Sequence, residues 1–323
     1  MTLDDVLFPE IEPYDSGMLA VTGGHSIYYE QCGNPQGRPI VFLHGGPGGG
    51  CKPRHRRYYD PSIWRIVLLD QRGCGRSVPH GTIDNNTTQH LVADIESVRH
   101  HLGIDRWVVG GGSWGSLLAL IYAQAHPQSC VALLIRGVLL GRAIERDWWW
   151  GGTRWLFPRE WEAFRDFLPE ADRGDLLKGY ARALFDPDPA VHLPAAQAFA
   201  TYNASTLLFR YDAAFVAASS AADKALPVAR LFTNYCLNGF FIEEGQALAQ
   251  LDRIRHLPAI IVQGRYDVIT PARSASDLAN AWPEAEFEIV TESNHSIEEP
   301  GMAAALIAAQ SRLAGRLAME RAA

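Results

Sequence analysis

The chain has 323 residues, 47% hydrophobic and 20% charged, a composition that indicates a packed globular protein and excludes a disordered or fibrous one. With 29 Lys and Arg against 36 Asp and Glu the net charge is −7, and no basic run suited to a phosphate backbone is present, so we expect no nucleic-acid partner. The five cysteines are scattered and contain no CxxC pair, so we expect no disulfide framework. The histidines show no metal-ligand spacing, so we expect no metal site. No apolar run of about 18 residues occurs, so we expect no membrane span and predict a cytoplasmic protein.

Short apolar runs that end in glycine or turn residues alternate along the chain with stretches of helical periodicity, which is typical of an α/β protein. Residues 18–33, with Gly23 and Gly24 at their centre, predict an antiparallel hairpin at the edge of the sheet. The strands that follow are mostly apolar on both faces, as strands of a parallel sheet covered by helices on both sides are. They are predicted at residues 40–43, 66–69, 107–109, 131–135, 259–262 and 287–290.

Between the fourth and fifth of these strands no further β-like run occurs. A stretch at 153–168 and several Ala-rich stretches predict helices, which we expect prolines such as Pro158, Pro194 and Pro227 to interrupt. Five of the nine tryptophans lie within residues 148–161, and we expect most of them to pin this region to the rest of the chain. We therefore predict an α/β core interrupted by a helical cap, with the core at 1–140 and 257–323 and the cap at 141–256.

Two glycine-rich loops follow predicted strands and admit several interpretations. Residues 44–50, His-Gly-Gly-Pro-Gly-Gly-Gly, let backbone N–H groups approach a ligand, but a phosphate loop would need Ser or Thr where Pro53 stands. Residues 110–115, Gly-Gly-Gly-Ser-Trp-Gly, fit both the dinucleotide fingerprint and the nucleophile elbow. The dinucleotide template wants an acid at the end of the next strand, where this chain has Arg136-Gly137. The nucleophile elbow is therefore favoured.

An elbow serine needs an acid, a base and an oxyanion hole, and the order Ser, Asp, His is that of the α/β hydrolases. Asp267 follows one predicted strand and His295 follows the last, and the carboxyl ends of parallel strands meet at one crevice. We therefore predict an α/β-hydrolase fold in which Ser113 attacks, His295 moves the proton and Asp267 orients the imidazole. The backbone N–H of Trp114 and one of the Gly45-Gly46 turn are the predicted oxyanion donors.

Together these motifs closely resemble the proline iminopeptidases, a family of serine peptidases with the α/β-hydrolase fold. The resemblance implies release of an N-terminal residue, typically proline, from a peptide, with Ser113, Asp267 and His295 as the triad, Gly46 and Trp114 as oxyanion donors, and no cofactor. The segments that carry the resemblance are His-Gly-Gly-Pro-Gly-Gly-Gly at 44–50, Asp-Gln-Arg-Gly-Cys-Gly-Arg-Ser at 70–77, Asn-Asn-Thr-Thr at 85–88, Gly-Gly-Ser-Trp-Gly-Ser at 111–116 and Gly-Arg-Tyr-Asp at 264–267.

The chain departs from this family pattern at two positions of the cap. The resemblance implies glutamates that read the free amino end of the substrate, but Asn203 ends the segment expected to read Trp-x-x-Trp-Glu and Phe232 replaces the acid of Arg-Ile-Glu. A buried ammonium without an anion is costly, so the specificity is open. The residues expected to contact the substrate are Gly45, Trp150, Phe199, Asn203 and Phe232.

Three interpretations of this departure stay open. Another acid could supply the anion, the candidates being Glu145, Asp147, Glu243 and Glu244. Alternatively, the enzyme hydrolyses neutral amides, anilides or esters in a pocket made apolar by aromatic side chains, with one or two of the clustered tryptophans facing the serine. From a different class, the chain would be a non-catalytic binding protein on a hydrolase scaffold, which the complete triad and oxyanion loop argue against.

Overall fold

The computed structural model describes residues 2–322, and the side chains of all of these except 222, 223 and 320–322. Within this range the backbone forms eight strands: β1 (Asp15–Ala20), β2 (Ser26–Gly33), β3 (Arg38–Leu43), β4 (Trp64–Leu69), β5 (Trp107–Ser113), β6 (Cys130–Val138), β7 (Ala259–Gly264) and β8 (Glu286–Val290). All eight belong to one sheet, in the order β1-β2-β4-β3-β5-β6-β7-β8.

The pairing of the strands confirms the predicted sheet. β1 and β2 form the antiparallel hairpin at one edge, turning through Gly23 (φ 72°) and Gly24 (φ 78°). β2 also pairs antiparallel with β4, and all the remaining pairs are parallel. β5 is longer than predicted, because Gly110 and Gly111 stay in register with β6 and carry the strand on to Ser113.

In the part of the backbone that the structure describes, eleven α-helices cover the sheet or form the insertion. They are α1 (Thr88–His101), α2 (Trp114–Ala125), α3 (Ala143–Trp150), α4 (Pro158–Asp166), α5 (Leu176–Leu184), α6 (Pro189–Leu207), α7 (Ala213–Ser219), α8 (Ala222–Leu237), α9 (Gln246–Ala249), α10 (Ala272–Ala281) and α11 (Pro300–Ala322). Shorter 3-10 turns lie at Thr22–Gly24, Pro53–Tyr58, Pro127–Ser129, Gly152–Trp155, Glu170–Asp172, Gly239–Phe241 and Leu251–Arg253.

The central strands of the sheet are buried on both faces, which explains why they are apolar runs. The edge strand β8 is partly exposed and carries Glu286 and Glu288. Ile40 and Val41, successive residues of β3 that point to opposite faces, are both fully buried. α1, α2 and α10 pack on the face of Val41, and α11 packs on the face of Ile40. Among the described residues, no helix has the length and apolar character needed to cross a membrane.

The segment between β6 and β7 contains helices α3 to α9 and, in the described backbone, no strand, so the predicted helical insertion is confirmed. Its boundaries at 141 and 256 stay a prediction. Pro158 begins α4, where a proline is tolerated because the first-turn N–H has no intrahelical acceptor. Pro194 and Pro227, however, lie inside α6 and α8 and do not end them. The expected interruption was wrong there, because the packing of α6 on α8 outweighs the hydrogen bond that each proline removes.

Candidate active site

Ser113 lies at a sharp turn where β5 ends and α2 begins. Its backbone adopts φ 59° and ψ −129°, a conformation that costs about 1–3 kcal/mol for a residue with a side chain. Close packing enforces the turn, since a Cβ at Gly111 would overlap the carbonyl oxygen of Gly115. The Ser116 hydroxyl donates to the Ser113 carbonyl oxygen at 2.6 Å. The turn leaves Ser113 partly exposed between buried neighbours, as the elbow motif predicts.

Asp267 and His295 form a hydrogen-bonded acid–base pair. The distances from His295 Nδ1 to the two carboxylate oxygens of Asp267 are 2.8 and 3.0 Å. Asp267 also accepts from the backbone N–H of Ile269 and Thr270 at 3.0 and 2.8 Å, from the Thr270 hydroxyl at 2.9 Å and from Gln263 Nε2 at 3.1 Å. These donors fix the carboxylate so that it holds Nδ1–H and leaves Nε2 of the imidazole as the acceptor. Sequence reasoning missed Gln263 and Thr270.

The loop that carries His295 is held by backbone carbonyls at the end of cap helix α6. The N–H of His295 donates to the Leu207 carbonyl oxygen at 3.2 Å, and Asn294 Nδ2 donates to the Thr206 carbonyl oxygen at 2.9 Å. On the core side, Arg136 Nη1 donates to the His295 carbonyl oxygen at 2.9 Å. The position of the imidazole therefore depends on both the core and the cap.

Gln71 joins the glycine-rich loop to the residue that follows the serine. Its side-chain NH₂ donates to the His44 carbonyl oxygen at 2.9 Å, and its Oε1 accepts from Trp114 Nε1 at 2.8 Å. Burial lowers the pKa of His44, so its ring is neutral and Nε2 accepts from the Gln71 N–H at 3.0 Å. Gly46, two residues beyond His44, has φ 122°, which a residue with a side chain rarely adopts. Sequence reasoning did not assign Gln71 to the site, although it lies in the Asp-Gln-Arg-Gly motif.

A cavity of about 1300 Å³ opens at this edge of the sheet, between core and cap. Ser113, His295, Gly45 and Gly46 line it. Asp267 lies behind His295, only 4% exposed, as an orienting acid should. The structure therefore brings the predicted catalytic residues to one place, while their roles stay predictions.

Four of the five predicted substrate contacts line the cavity: Gly45, Phe199, Asn203 and Phe232. Trp150 does not, and this expectation requires correction. Successive residues of a helix point about 100° apart. In α3 this places Trp149 on the cavity wall and turns Trp150 into the cap interior.

The other clustered tryptophans have mixed surroundings. Trp148 Nε1 donates to the Val268 carbonyl oxygen at 2.7 Å and so ties the cap to the loop that carries the predicted acid. Trp161 Nε1 donates to the Trp150 carbonyl oxygen at 3.1 Å within the cap, whereas Trp155 is 80% exposed. Among the five, Trp148 connects cap to core by a hydrogen bond and Trp149 lies on the cavity wall.

The candidate substitute anions were Glu145, Asp147, Glu243 and Glu244, of which only Glu145 lines the cavity. Its carboxylate pairs with the Arg142 guanidinium at 3.3 Å and accepts from the Arg142 backbone N–H at 2.9 Å, so its charge is already compensated. Asp147 is largely exposed, and Glu244 accepts from a backbone N–H at the start of α3. The described part of the chain also contains no cluster of three or more His, Cys, Asp or Glu that could hold a metal ion.

A mostly parallel sheet with this strand order and a strained serine between its fifth strand and the following helix defines an α/β hydrolase. Residues 38–299 match the family of the α/β-hydrolase fold, which confirms the predicted fold class. In solved structures the same fold occurs in an esterase from Rhodococcus, which is 18% identical, has a TM-score of 0.64, and is aligned over 94% of this chain and 99% of its own.

Similar sequences show to which family of α/β hydrolases the chain belongs. A probable proline iminopeptidase of Leptolyngbya boryana is 47% identical over 95% of this chain and 96% of its own length. Proline iminopeptidases of Xylella fastidiosa and Arabidopsis thaliana are 47% and 46% identical, over 94% and 95% of this chain and 97% and 82% of their own lengths. The chain belongs to the proline iminopeptidase family, as its motifs predicted.

Proposed function

We propose that the protein is a serine peptidase that releases the N-terminal residue, typically proline, from short peptides. The observation that carries this proposal is the Asp267–His295 pair at 2.8 Å, because its imidazole lines the same cavity as the strained Ser113. Relatives named as proline iminopeptidases cover nearly the whole chain and supply the substrate class.

The proposed reaction has two steps. His295 Nε2 takes the proton of the Ser113 hydroxyl as Oγ attacks the scissile carbonyl carbon, and the imidazolium then gives that proton to the leaving amine. The C–N bond breaks and an ester between Ser113 and the released residue remains. A water molecule, deprotonated by the same imidazole, hydrolyses this ester and restores the serine. Asp267 stabilises the imidazolium throughout and fixes its tautomer.

The oxyanion of each tetrahedral intermediate is proposed to accept from the backbone N–H of Trp114 and of Gly46. Trp114 is the first residue of α2, where N–H groups lack intrahelical acceptors and the helix dipole favours negative charge. Gly46 faces the same cavity. The acyl residue is proposed to lie against Gly45, Trp149, Phe199, Asn203 and Phe232.

A second candidate function is hydrolysis of neutral amides, anilides or esters by the same residues. It is favoured by Asn203 and Phe232, which line the cavity where the family resemblance led us to expect carboxylates. In the cap wall, the described side chains offer no uncompensated carboxylate, since Glu145 is paired with Arg142. An ammonium group buried there would lose several kcal/mol of hydration.

One set of substrates separates the two functions. A prolyl anilide with a free amine is compared with its N-acetyl form and with a simple aryl ester. A strong preference for the free amine supports the aminopeptidase and requires an anion that substitutes for the missing glutamates. Equal or faster hydrolysis of the acetylated or ester substrate supports the neutral-substrate function.

Labelling with a fluorophosphonate tests the chemistry itself. The probe is expected to modify Ser113 in the native chain and not in Ser113→Ala, with both proteins equally folded. Absence of labelling in the native chain would favour the non-catalytic interpretation. We further propose a cytoplasmic location, which is supported by the absence of disulfides among the five cysteines.

A further inference from the structure

Arg136 is a buried arginine in the wall of the active-site cavity that lacks an ion pair. It lies in β6 and is 8% exposed. Its Nη1 donates to the His295 carbonyl oxygen, and its Nε is enclosed against Gly112 with no hydrogen-bond partner among the described residues. Nη2 is also without a partner in the described structure but is not enclosed, so it is the atom that a ligand in the cavity can reach. No described carboxylate lies within 4 Å of the guanidinium. A buried cation without a counter-ion is costly, so an anion that reaches the open side of the guanidinium would be favoured.

The carboxylates that act on Arg136 from a distance are already engaged. Asp267 is bonded to His295, and Glu299 accepts from the backbone N–H of Asn294 at 2.7 Å and of Phe209 at 2.5 Å. Neither carboxylate is free to move onto the guanidinium without leaving its own donors. The positive charge of Arg136 is therefore available to a ligand in the cavity.

His55 is a second unsatisfied donor in the same wall. Burial, together with the nearby charges of Lys52 and Arg136, holds the pKa of His55 well below its ordinary value, so the ring is neutral. Its Nδ1 accepts from the Lys52 backbone N–H at 3.1 Å, which places the ring proton on Nε2. Nε2 has no partner within the described structure, and both His55 and Arg136 line the cavity.

The rim of this wall also carries excess positive charge. Lys52 and Arg54 both bond to Glu298, each at 3.1 Å, so two cations share one carboxylate. The wall contributed by the cap includes the charged residues Arg146 and Lys224, but Trp149, Phe199 and Phe232 give it an apolar patch. The cavity thus combines an apolar patch on the cap, suited to the acyl residue, with a cationic side on the core.

We propose that Arg136 and His55 form a subsite for a carboxylate on the leaving group, as in the C-terminal carboxylate of a dipeptide. A planar guanidinium and an imidazole N–H match the two oxygens of a carboxylate, and Lys52 and Arg54 would attract that charge toward the cavity. The proposal rests on the proposed function, because the subsite serves the same acyl transfer. It makes short peptides with a free carboxyl end the preferred substrates.

Two matched substrate pairs test the subsite. The first is prolyl-leucine and prolyl-leucinamide. The second is the butanoate esters of 4-hydroxybenzoate and 4-hydroxybenzamide, whose kcat/KM values are normalised to hydrolysis by hydroxide. The native enzyme is expected to prefer the carboxylate member of each pair by tenfold or more. Hydrolysis of the esters but not of the peptides would refute the proposed peptidase function while leaving the ester pair as a full test of the subsite.

The variants Arg136→Lys and His55→Leu are expected to reduce that preference at least fivefold. A role that is only structural would lower kcat/KM for both members of a pair equally, so the ratio separates the two explanations. Arg99→Lys is the matched control, because Arg99 is also buried but pairs with Glu96 away from the cavity, and its ratio should equal that of the native enzyme. Equal rates for both members in the native enzyme, or an unchanged ratio in both cavity variants, would overturn the proposal.

Discussion

The bridge made by Gln71 offers a direct test of the proposed oxyanion hole. Gln71→Leu keeps most of the side-chain volume and removes both hydrogen bonds, the one to the His44 carbonyl oxygen and the one from Trp114 Nε1. Both partners are buried, so each would be left unsatisfied at a cost of about 1–3 kcal/mol. The free energy of unfolding should therefore fall by about 2–6 kcal/mol.

The kinetic effect should exceed what the stability loss alone explains. Removing one oxyanion donor outright typically lowers kcat by about 10²–10³. Gln71→Leu releases the loop before Gly46 and the indole after Ser113 without deleting either donor, so we expect kcat to fall about 10- to 100-fold. KM should change little, because the bridge does not face the acyl pocket. Stability is measured by urea unfolding, and kcat on an aryl ester that both candidate functions permit.

Gln124 provides the matched control for this substitution. It is equally buried and its Nε2 donates to the Ala247 carbonyl oxygen at 2.8 Å, away from the cavity. Gln124→Leu leaves the Ala247 carbonyl oxygen unsatisfied but also removes the buried Gln124 Oε1, which has no hydrogen-bond partner among the described residues. It should therefore lower stability by at most about 3 kcal/mol and leave kcat within twofold of the native value. The reasoning is wrong if Gln71→Leu loses stability but keeps its native kcat, or if both variants lose kcat in proportion to stability.

Two further predictions concern the acid–base pair and the response to pH. Gly137 has φ 52°, so Gly137→Ala should cost about 1–3 kcal/mol of stability from backbone strain, measured by thermal unfolding. The added methyl group would lie 3.3 Å from His295 Cε1 and 3.4 Å from Asp267 Oδ2, so kcat, measured by ester hydrolysis, should also fall. Burial lowers the pKa of His44 and His55 below the ordinary 6.5, so the unfolded chain binds more protons between the folded and unfolded values. Stability should be greatest above about pH 6.5 and fall as the pH drops below it, by at most about 1.4 kcal/mol per pH unit for each histidine.

Each of these predictions has its own check. A Gly137→Ala variant with native kcat would show that a methyl group at this position does not displace the acid–base pair. The pH effect is read from urea unfolding at pH 5, 6 and 7, where His55→Phe should give a shallower decline than the native chain. An identical slope in the variant would mean that His55 has the same protonation state in the folded and the unfolded chain, which would contradict its lowered pKa.

Much of the fold was predictable because its parallel strands are buried on both faces and so appear as apolar runs. The extension of β5 was missed since Gly110 and Gly111 carry no side chain whose pattern could indicate a strand. The prediction that Pro194 and Pro227 interrupt helices was wrong for another reason. Their helices are stabilised by contacts between distant segments, and a local rule about proline does not contain that information.

The site was predictable where chemistry and chain order constrain it together. Ser113, Asp267 and His295 each follow a strand, and the geometry of a parallel sheet brings such positions to one edge. The sequence could not indicate which of Trp149 and Trp150 faces the cavity, because this depends on the rotation of α3 about its axis. Arg136 drew notice only as the residue that replaced an expected acid, since its lack of an ion pair appears only when the neighbouring loops are in place.

The carbonyl oxygens of Thr206 and Leu207 that hold the His295 loop belong to the backbone of α6, and Asn203 lies one helical turn earlier on the same helix. A backbone carbonyl makes the same hydrogen bond whatever side chains its helix displays. Selection can therefore exchange the side chains of α6 that line the cavity and leave the placement of His295, the proposed catalytic base, intact. This separation gives a physical route by which a relative of proline-specific peptidases could acquire a different substrate without having to rebuild its chemistry.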